Sequence, residues 1–388
     1  MCLILRTFAP PFQRMTNLVD NHLFMYCLLF LSMIGFSLLT NALFLKFVRT
    51  LGIRKMDGDT VIRWGPQSKP AIGGLGFYII FLFAVAGNAV LFDPNQFFLN
   101  KEFVGLLLCT TMGFIIGLAD DAYDTKPLLK LSGQIVCGLI LITTGNEIHV
   151  FTEAWLNHFM TILWVVGIMN SINMLDNMDA ISSTVSLFIL VACVWVMGHE
   201  FDFVGNVYFM VILGGIASLM GFLWFNWNPS RMYMGDTGSQ FLGALLSLLS
   251  ILYLWNYKQS AVIQSHSLLL ISRNMILVGL AFTMTLADTT VVVINRLLRG
   301  QSPFVGGKDH TTHHMARLGL SDRQVALVFM GLSIVSIGLV CIIEQIGDAW
   351  TWLHTILFGT YFLVIVVGCF IMTHISSSRS ESTFKAKQ

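Results

Sequence analysis

The chain has 388 residues, 55% of them hydrophobic and only 11% charged, with a formal net charge of +1. A soluble globular domain carries about 25% charged residues, so the composition excludes one and describes a polytopic membrane protein. The balanced charge offers no basic surface, so nucleic acid is not an expected partner. The seven cysteines (Cys2, Cys27, Cys109, Cys137, Cys193, Cys341 and Cys369) lack C-x-x-C spacing, and most lie inside apolar runs. They read as small buried hydrophobes, neither a zinc site nor a disulfide framework.

The first residues make a poor signal peptide, with Arg6 and Arg14 flanking a short apolar piece broken at Pro10-Pro11. Met15 is an alternative start. Apolar runs of about 17–25 residues then mark membrane-spanning helices. They fall at 23–47, 72–92, 103–119, 129–145, 156–172, 183–198, 204–224, 238–256, 270–295, 322–343 and 351–373, which makes eleven. The expected fold is an all-α integral membrane protein. Residues 1–22 form an outside segment, 23–373 the transmembrane domain, and 374–388 a disordered cytoplasmic tail.

An odd number of spans puts the termini on opposite sides. The loops 49–70, 120–130, 173–182, 225–237 and 296–321, with the tail, hold 15 of the 22 Lys and Arg residues. By the positive-inside rule that side is cytoplasmic. Every notable polar cluster lies there too, so the working face is expected to be cytoplasmic.

The first cluster, Gly117-Leu118-Ala119-Asp120-Asp121-Ala122-Tyr123-Asp124-Thr125-Lys126-Pro127, stands where one apolar run ends. Adjacent carboxylates near a membrane call for a metal, a lysine or a shared proton. Lys126 and Lys130 are near enough in sequence to supply that charge or to hold a phosphate. Asn170, Asn173, Asp176 and Asp179 follow the fifth span at three-residue spacing, which on a helix lines them along one face. In Gly235-Asp236-Thr237-Gly238-Ser239 one carboxylate sits between glycines that let the backbone approach a ligand.

Last comes Gly306-Gly307-Lys308-Asp309-His310-Thr311-Thr312-His313-His314, flanked by Arg296, Arg299 and Arg317. The surrounding oxygen donors favour magnesium, with manganese as the alternative, over zinc. The histidines then serve to hydrogen-bond or charge-pair with phosphate, and the arginines to clamp a diphosphate.

Across roughly Lys69 to Leu320 these clusters resemble the polyprenyl-phosphate N-acetylhexosamine-1-phosphate transferases. Asp120-Asp121 with Lys130-Leu131-Ser132-Gly133-Gln134 resembles the family's acidic pair and following lysine. Asn173-Met174-Leu175-Asp176-Asn177-Met178-Asp179-Ala180 resembles its N-L-x-D-G-x-D-G segment, and Met234-Gly235-Asp236-Thr237-Gly238-Ser239 its M-G-D-x-G-S segment. Asp309 to His314 resembles its histidine loop. There are departures: Asn177 and Ala180 replace two glycines, and the loop reads H-T-T-H-H where sugar-transferring members often have H-x-H-H. The three consecutive histidines of the peptidoglycan branch are absent.

The resemblance implies transfer of a sugar 1-phosphate from a UDP-N-acetylhexosamine, UDP-N-acetylglucosamine foremost, to undecaprenyl phosphate with release of UMP. Such a step begins cell-envelope polysaccharide synthesis at the bacterial inner membrane. It implies catalytic roles for Asp120, Asp121, Lys130, His310, His313 and His314, and substrate binding by Lys69, Asn170, Asn173, Asp176, Asp179, Lys126 and Arg299. Magnesium would be held by Asp236 with Asp120 and Asp121. A homodimer is compatible with this reading. The alternatives are UDP-N-acetylmuramoyl-pentapeptide as donor, or a cation-coupled transporter. A transporter site belongs near the membrane midplane, where Asp288 alone stands well inside a span, and no internal repeat is visible.

Overall fold

A computed structural model describes residues 11–50, 69–92, 100–200, 205–265, 267–302, 307 and 309–385. Gly306, Lys308 and most of the 49–70 loop lie outside the described residues. Among the described residues the chain is all-α, apart from one isolated bridge between Ala71 and Tyr233. In lipid every backbone N–H and C=O must be satisfied within the protein, which the helix achieves along its own length.

In chain order the helices are α1 (Pro11–Thr50), α2 (Gly73–Phe92), α3 (Lys101–Tyr123), α4 (Pro127–Thr143), α5 (Ala154–Leu175), α6 (Ile181–Glu200) and α7 (Val207–Asn226). They continue with α8 (Gly235–Ser250), α9 (Gln259–Ser265), α10 (Leu268–Ala281), α11 (Thr283–Leu298), α12 (Thr311–Arg317), α13 (Asp322–Ile346) and α14 (Trp352–Lys385).

Among the described residues nine helices are long and apolar enough to cross a membrane, or ten if α10 and α11 count as one span. The count of eleven is therefore not confirmed. The 129–145 segment is present as α4, a shorter apolar helix of 17 residues. The expected single span at 270–295 is broken, because α10 and α11 meet at 84° around Phe282. The backbone of 374–385, expected as a disordered tail, continues α14 as helix, and that of 11–22 is likewise part of α1.

Local signals explain several boundaries. Asn100 caps α3 through its Oδ1, which accepts from the Glu102 and Phe103 N–H groups. Asp124 adopts the left-handed conformation that ends α3, and Pro127 opens α4 at a position where no N–H is needed. Ser321 and Gln324 form a reciprocal capping box on α13.

The centre of the bundle is α8 with its π-helical extension Ile251–Trp255: 94% of its apolar window is buried, against 6% for α14 at the periphery. Its start is pinned from two sides. The 70–74 stretch of backbone pairs with 233–234, with the Gly73 and Gly74 N–H groups donating to the Tyr233 and Met234 carbonyls at 3.1 Å. On the other side α3 runs against α8 so closely that Gly117 faces bare backbone. A Cβ there would stand 2.5 Å from Thr237 Cα and closer still to the Asp236 carbonyl oxygen.

That approach yields a prediction. Gly117→Ala is expected to lower stability by about 1–3 kcal/mol, because neither backbone can yield without moving the start of α8. Thermal unfolding in detergent measures it, and an unchanged midpoint would show that the α3–α8 spacing is not fixed here.

Candidate active site

The site is assembled where α3, α5 and α7 end and α2, α4 and α8 begin. Its centre is the Lys130 ammonium on the first turns of α4. It donates to Asp120 Oδ2 at 2.8 Å, to Asp236 Oδ1 at 3.4 Å and to Asn173 Oδ1 at 3.4 Å. One cation thus joins α3, α4, α5 and α8, with all three charged side chains only 13–15% exposed. Thr125 holds the other Asp120 oxygen through its N–H at 3.0 Å and its hydroxyl at 2.5 Å. Asn173 donates through Nδ2 to Asp236 Oδ1 at 2.5 Å and to Ser239 Oγ at 2.8 Å.

Asp121 takes a different position from its neighbour. Its carboxylate accepts from the Asp236 N–H at 3.1 Å, the Thr237 N–H at 2.8 Å and the Thr237 hydroxyl at 2.6 Å. It caps α8 from another helix, satisfying N–H groups that have no partner within α8 and placing negative charge at the positive helix end. Adjacent aspartates therefore point to different elements: Asp120 to the lysine, Asp121 to the α8 backbone.

The stripe expected along α5 separates in the same way. Asn170 exchanges two amide hydrogen bonds with Gln134, at 3.2 and 2.7 Å, and Gln134 reaches on to Gln240 at 3.0 Å. It is part of a buried amide network rather than the Lys130 group. Asp176 ends α5, with its N–H donating to the Asn173 carbonyl. Asp179 lies on the following turn and accepts from Asn228 Nδ2, the Ser230 N–H and Ser230 Oγ at 2.7–3.1 Å. Lys69 donates to the same Ser230 hydroxyl at 3.0 Å, stands 3.9 Å from Asp179 and lies over the Tyr233 ring. Lys126 is exposed at the start of α4.

The histidine segment is held by a residue whose role the sequence reading missed. Asp288 follows the bend into α11 and is buried. It accepts from His310 Nδ1 at 2.9 Å, the Thr311 N–H at 2.8 Å and the Thr311 hydroxyl at 2.5 Å. Donation from Nδ1 fixes the proton there and leaves Nε2 as the second nitrogen of His310. A carboxylate inside an apolar run was the available signal. Its partner, 22 residues on, could not be read from spacing. The His313 ring stands edge-on to His310, with centroids 5.9 Å apart.

Of the three arginines expected to clamp a diphosphate, Arg296 and Arg299 are engaged with Asp309, and Arg317 ends α12. Arg296 binds Asp309 through two nitrogens at 2.9 and 2.8 Å, and half-exposed Arg299 adds a contact at 3.0 Å. Burial alone would raise the Asp309 carboxyl, but the Arg296 guanidinium outweighs it and holds the group below the usual carboxylate range.

Burial, and next the charge of Arg317, push His314 down from 6.5 to about 4. At neutral pH it is therefore uncharged: it can hydrogen-bond to a phosphate but adds no positive charge.

The donor set fits a magnesium ion of the kind that shares its shell with substrate. Asp236 and Asp120 offer hard oxygens, with Ser239 beside them. Among the described residues no three His, Cys, Asp or Glu side chains gather as ligands. Magnesium needs no such cage, since one or two carboxylates with substrate phosphates and water complete its octahedron.

The fold and site define a polytopic α-helical membrane protein with a carboxylate–lysine–amide centre at its helix ends. The pattern of Glycosyl transferase family 4 matches residues 103–254, which span α3 to α8 and include Asp120, Lys130, Asn173 and Asp236. The chain is 27% identical over 344 residues to the probable undecaprenyl-phosphate N-acetylglucosaminyl 1-phosphate transferase of Bacillus subtilis (strain 168), covering 85% of this chain and 89% of that one. It is 28% identical over 297 residues to the decaprenyl-phosphate N-acetylglucosaminephosphotransferase of Mycolicibacterium smegmatis, covering 70% and 71%. It is 27% identical over 326 residues to the phospho-N-acetylmuramoyl-pentapeptide-transferase of Lactobacillus johnsonii, covering 77% and 93%. These matches support the polyprenyl-phosphate hexosamine-1-phosphate transferase family as the one this chain is similar to.

His314 gives a pH prediction. Above about 6.5 the group is neutral in both the folded and the unfolded chain. Between about 6.5 and about 4 the unfolded chain takes up a proton that the folded one refuses, so stability falls with pH across that window and levels off below it. Melting midpoints in detergent should decline over this range, and His314→Gln should flatten part of the decline. An identical slope in the variant would remove His314 as a source.

Proposed function

We propose that this chain transfers a sugar 1-phosphate from a UDP-N-acetylhexosamine, UDP-N-acetylglucosamine foremost, to undecaprenyl phosphate at the cytoplasmic face of a bacterial inner membrane. An oxygen of the lipid phosphate attacks the phosphorus that bears the sugar. The bond to the uridine-bearing phosphate breaks, UMP leaves, and the lipid carries a new diphosphate. The observation that carries this reading is the Lys130 centre at the ends of several spans, where a lipid and a cytosolic nucleotide can meet.

Phosphoryl transfer asks the protein for positioning and charge neutralisation more than for covalent chemistry. Lys130 offers an ammonium whose carboxylate partners set its position. Asp121 fixes the start of α8 and so aims Asp236. Asp179, Ser230 and Lys69 form a separate polar group beside the Ala71–Tyr233 bridge, suited to the nucleotide end of the donor. His310, oriented by Asp288, presents its second nitrogen to a phosphate oxygen. Asp236, with Asp120, would hold magnesium, which when bound supplies Lewis-acid neutralisation of diphosphate charge.

The reading is tested by UMP release from purified protein given undecaprenyl phosphate and either UDP-N-acetylglucosamine or UDP-N-acetylmuramoyl-pentapeptide. Turnover with the first and little with the second is expected. The relatives include transferases of both donor classes, so efficient turnover of the pentapeptide donor would replace the first assignment. No UMP from any UDP-sugar would overturn the reaction class.

The metal assignment is tested by Asp236→Asn, which keeps the size of the side chain and removes its charge. Turnover should fall by at least about a thousandfold at ordinary magnesium, corresponding to several kcal/mol at 1.36 kcal/mol per tenfold. A simple helix-start role would instead cost about 0.5–2 kcal/mol of stability and leave turnover near normal.

A further inference from the structure

Two of the places where this chain departs from its family's pattern touch each other. Asn177 stands where the N-L-x-D-G-x-D-G segment has its first glycine, and Thr312 lies in the lengthened spacer of H-T-T-H-H. The Thr312 hydroxyl donates to Asn177 Oδ1 at 2.6 Å. The amide's orientation follows from its other contact: Nδ2 donates at 2.8 Å to the Met174 carbonyl, which can only accept. Oδ1 is thereby turned to Thr312, and Thr312 must be the donor. Thr312 is fully buried and Asn177 partly so, which shields the bond from water on the Thr312 side.

Thr311 is tied in the opposite direction, to Asp288 of α11 through both its N–H and its hydroxyl. The two spacer threonines therefore hold the histidine segment from two sides, α11 on one and the α5–α6 turn on the other. A glycine at 177 could form no such bond, and a one-residue spacer would have only one side chain to offer.

We propose that Asn177 and Thr312 are a pair of positioning residues, a strap that holds the histidine segment against the turn carrying Asp176 and Asp179 before the donor arrives. Placing the histidines relative to the donor-binding turn then costs less ordering on binding. The functional half of this inference rests on the transfer reaction proposed above; the tie itself does not.

The experiment is a double-mutant cycle with Asn177→Gly, Thr312→Val and the double variant, read as kcat and KM for UDP-N-acetylglucosamine and as the melting midpoint in detergent. Each single variant should lose about three- to tenfold in kcat/KM, the range expected for one neutral hydrogen bond. The double variant should be no worse than the poorer single, because both remove the same bond. Unchanged kcat/KM in all three, with only the melting midpoint lowered, would reduce the pair to a structural contact and overturn the positioning role. Additive losses would show that the residues act separately and overturn the strap. If the unaltered protein releases no UMP from any UDP-sugar, the reaction fails. The tie is then decided by melting alone, where a non-additive cycle supports it and an additive one removes it.

Discussion

The arrangement depends on one ammonium group balancing two carboxylates at the edge of a membrane. Two like charges about 4 Å apart repel by roughly 4 kcal/mol at an effective dielectric of 20. Lys130, at 2.8 Å from Asp120 and 3.4 Å from Asp236, offsets part of such a repulsion and ties α3, α4 and α8 together. Asn173 adds α5 by touching both the lysine and Asp236. The four helices do not need to be told separately where to end, because their polar termini share a single charge balance.

Packing and electrostatics support each other around that point. The bare backbone contact at Gly117 brings α3 close enough for Asp121 to reach the first N–H groups of α8. The same approach places Asp120, on the adjacent position, toward α4. A second polar group is built on Asp179, Ser230 and Lys69, and a third on Asp288 and the histidine segment, each with its own hydrogen-bond partners. Asn226 stitches the intervening loops, accepting from the Ala180 N–H and Ser183 hydroxyl while donating to the Met232 carbonyl. The architecture is thus a set of small polar clusters supported by an apolar bundle.

Much of this was legible from residues alone. Apolar run length located the helices, since lipid leaves few other options for the backbone, and the predicted 23–47 segment is reproduced as a candidate span. Of the two lysines near enough in sequence to Asp120, Lys130 meets it across the turn at Pro127, while Lys126 is exposed. What the sequence did not disclose was direction and distance. Nothing in Asp120-Asp121 indicates that one carboxylate turns to a lysine and the other to a helix start. Helical spacing put Asn170 in line with Asn173, yet a glutamine from α4 claims it. Arg296 and Arg299 suggested a diphosphate clamp, whereas Asp309 between them and the histidines takes up both. The bend at Phe282 has no proline to announce it and only Gly279 ahead of it, so Asp288 read as an isolated charge in a span and not as the anchor of His310.

We propose that Lys130 organises the reacting centre and is more than a counter-ion for the fold. It is tested most directly by single-turnover UMP release from Lys130→Gln protein that has been shown to be folded by its melting transition, with magnesium varied over a wide range. A loss of at least about a hundredfold, some 2.7 kcal/mol at 1.36 kcal/mol per tenfold, that added magnesium does not restore is expected. Turnover within a few-fold of the unaltered protein at any magnesium concentration would contradict it.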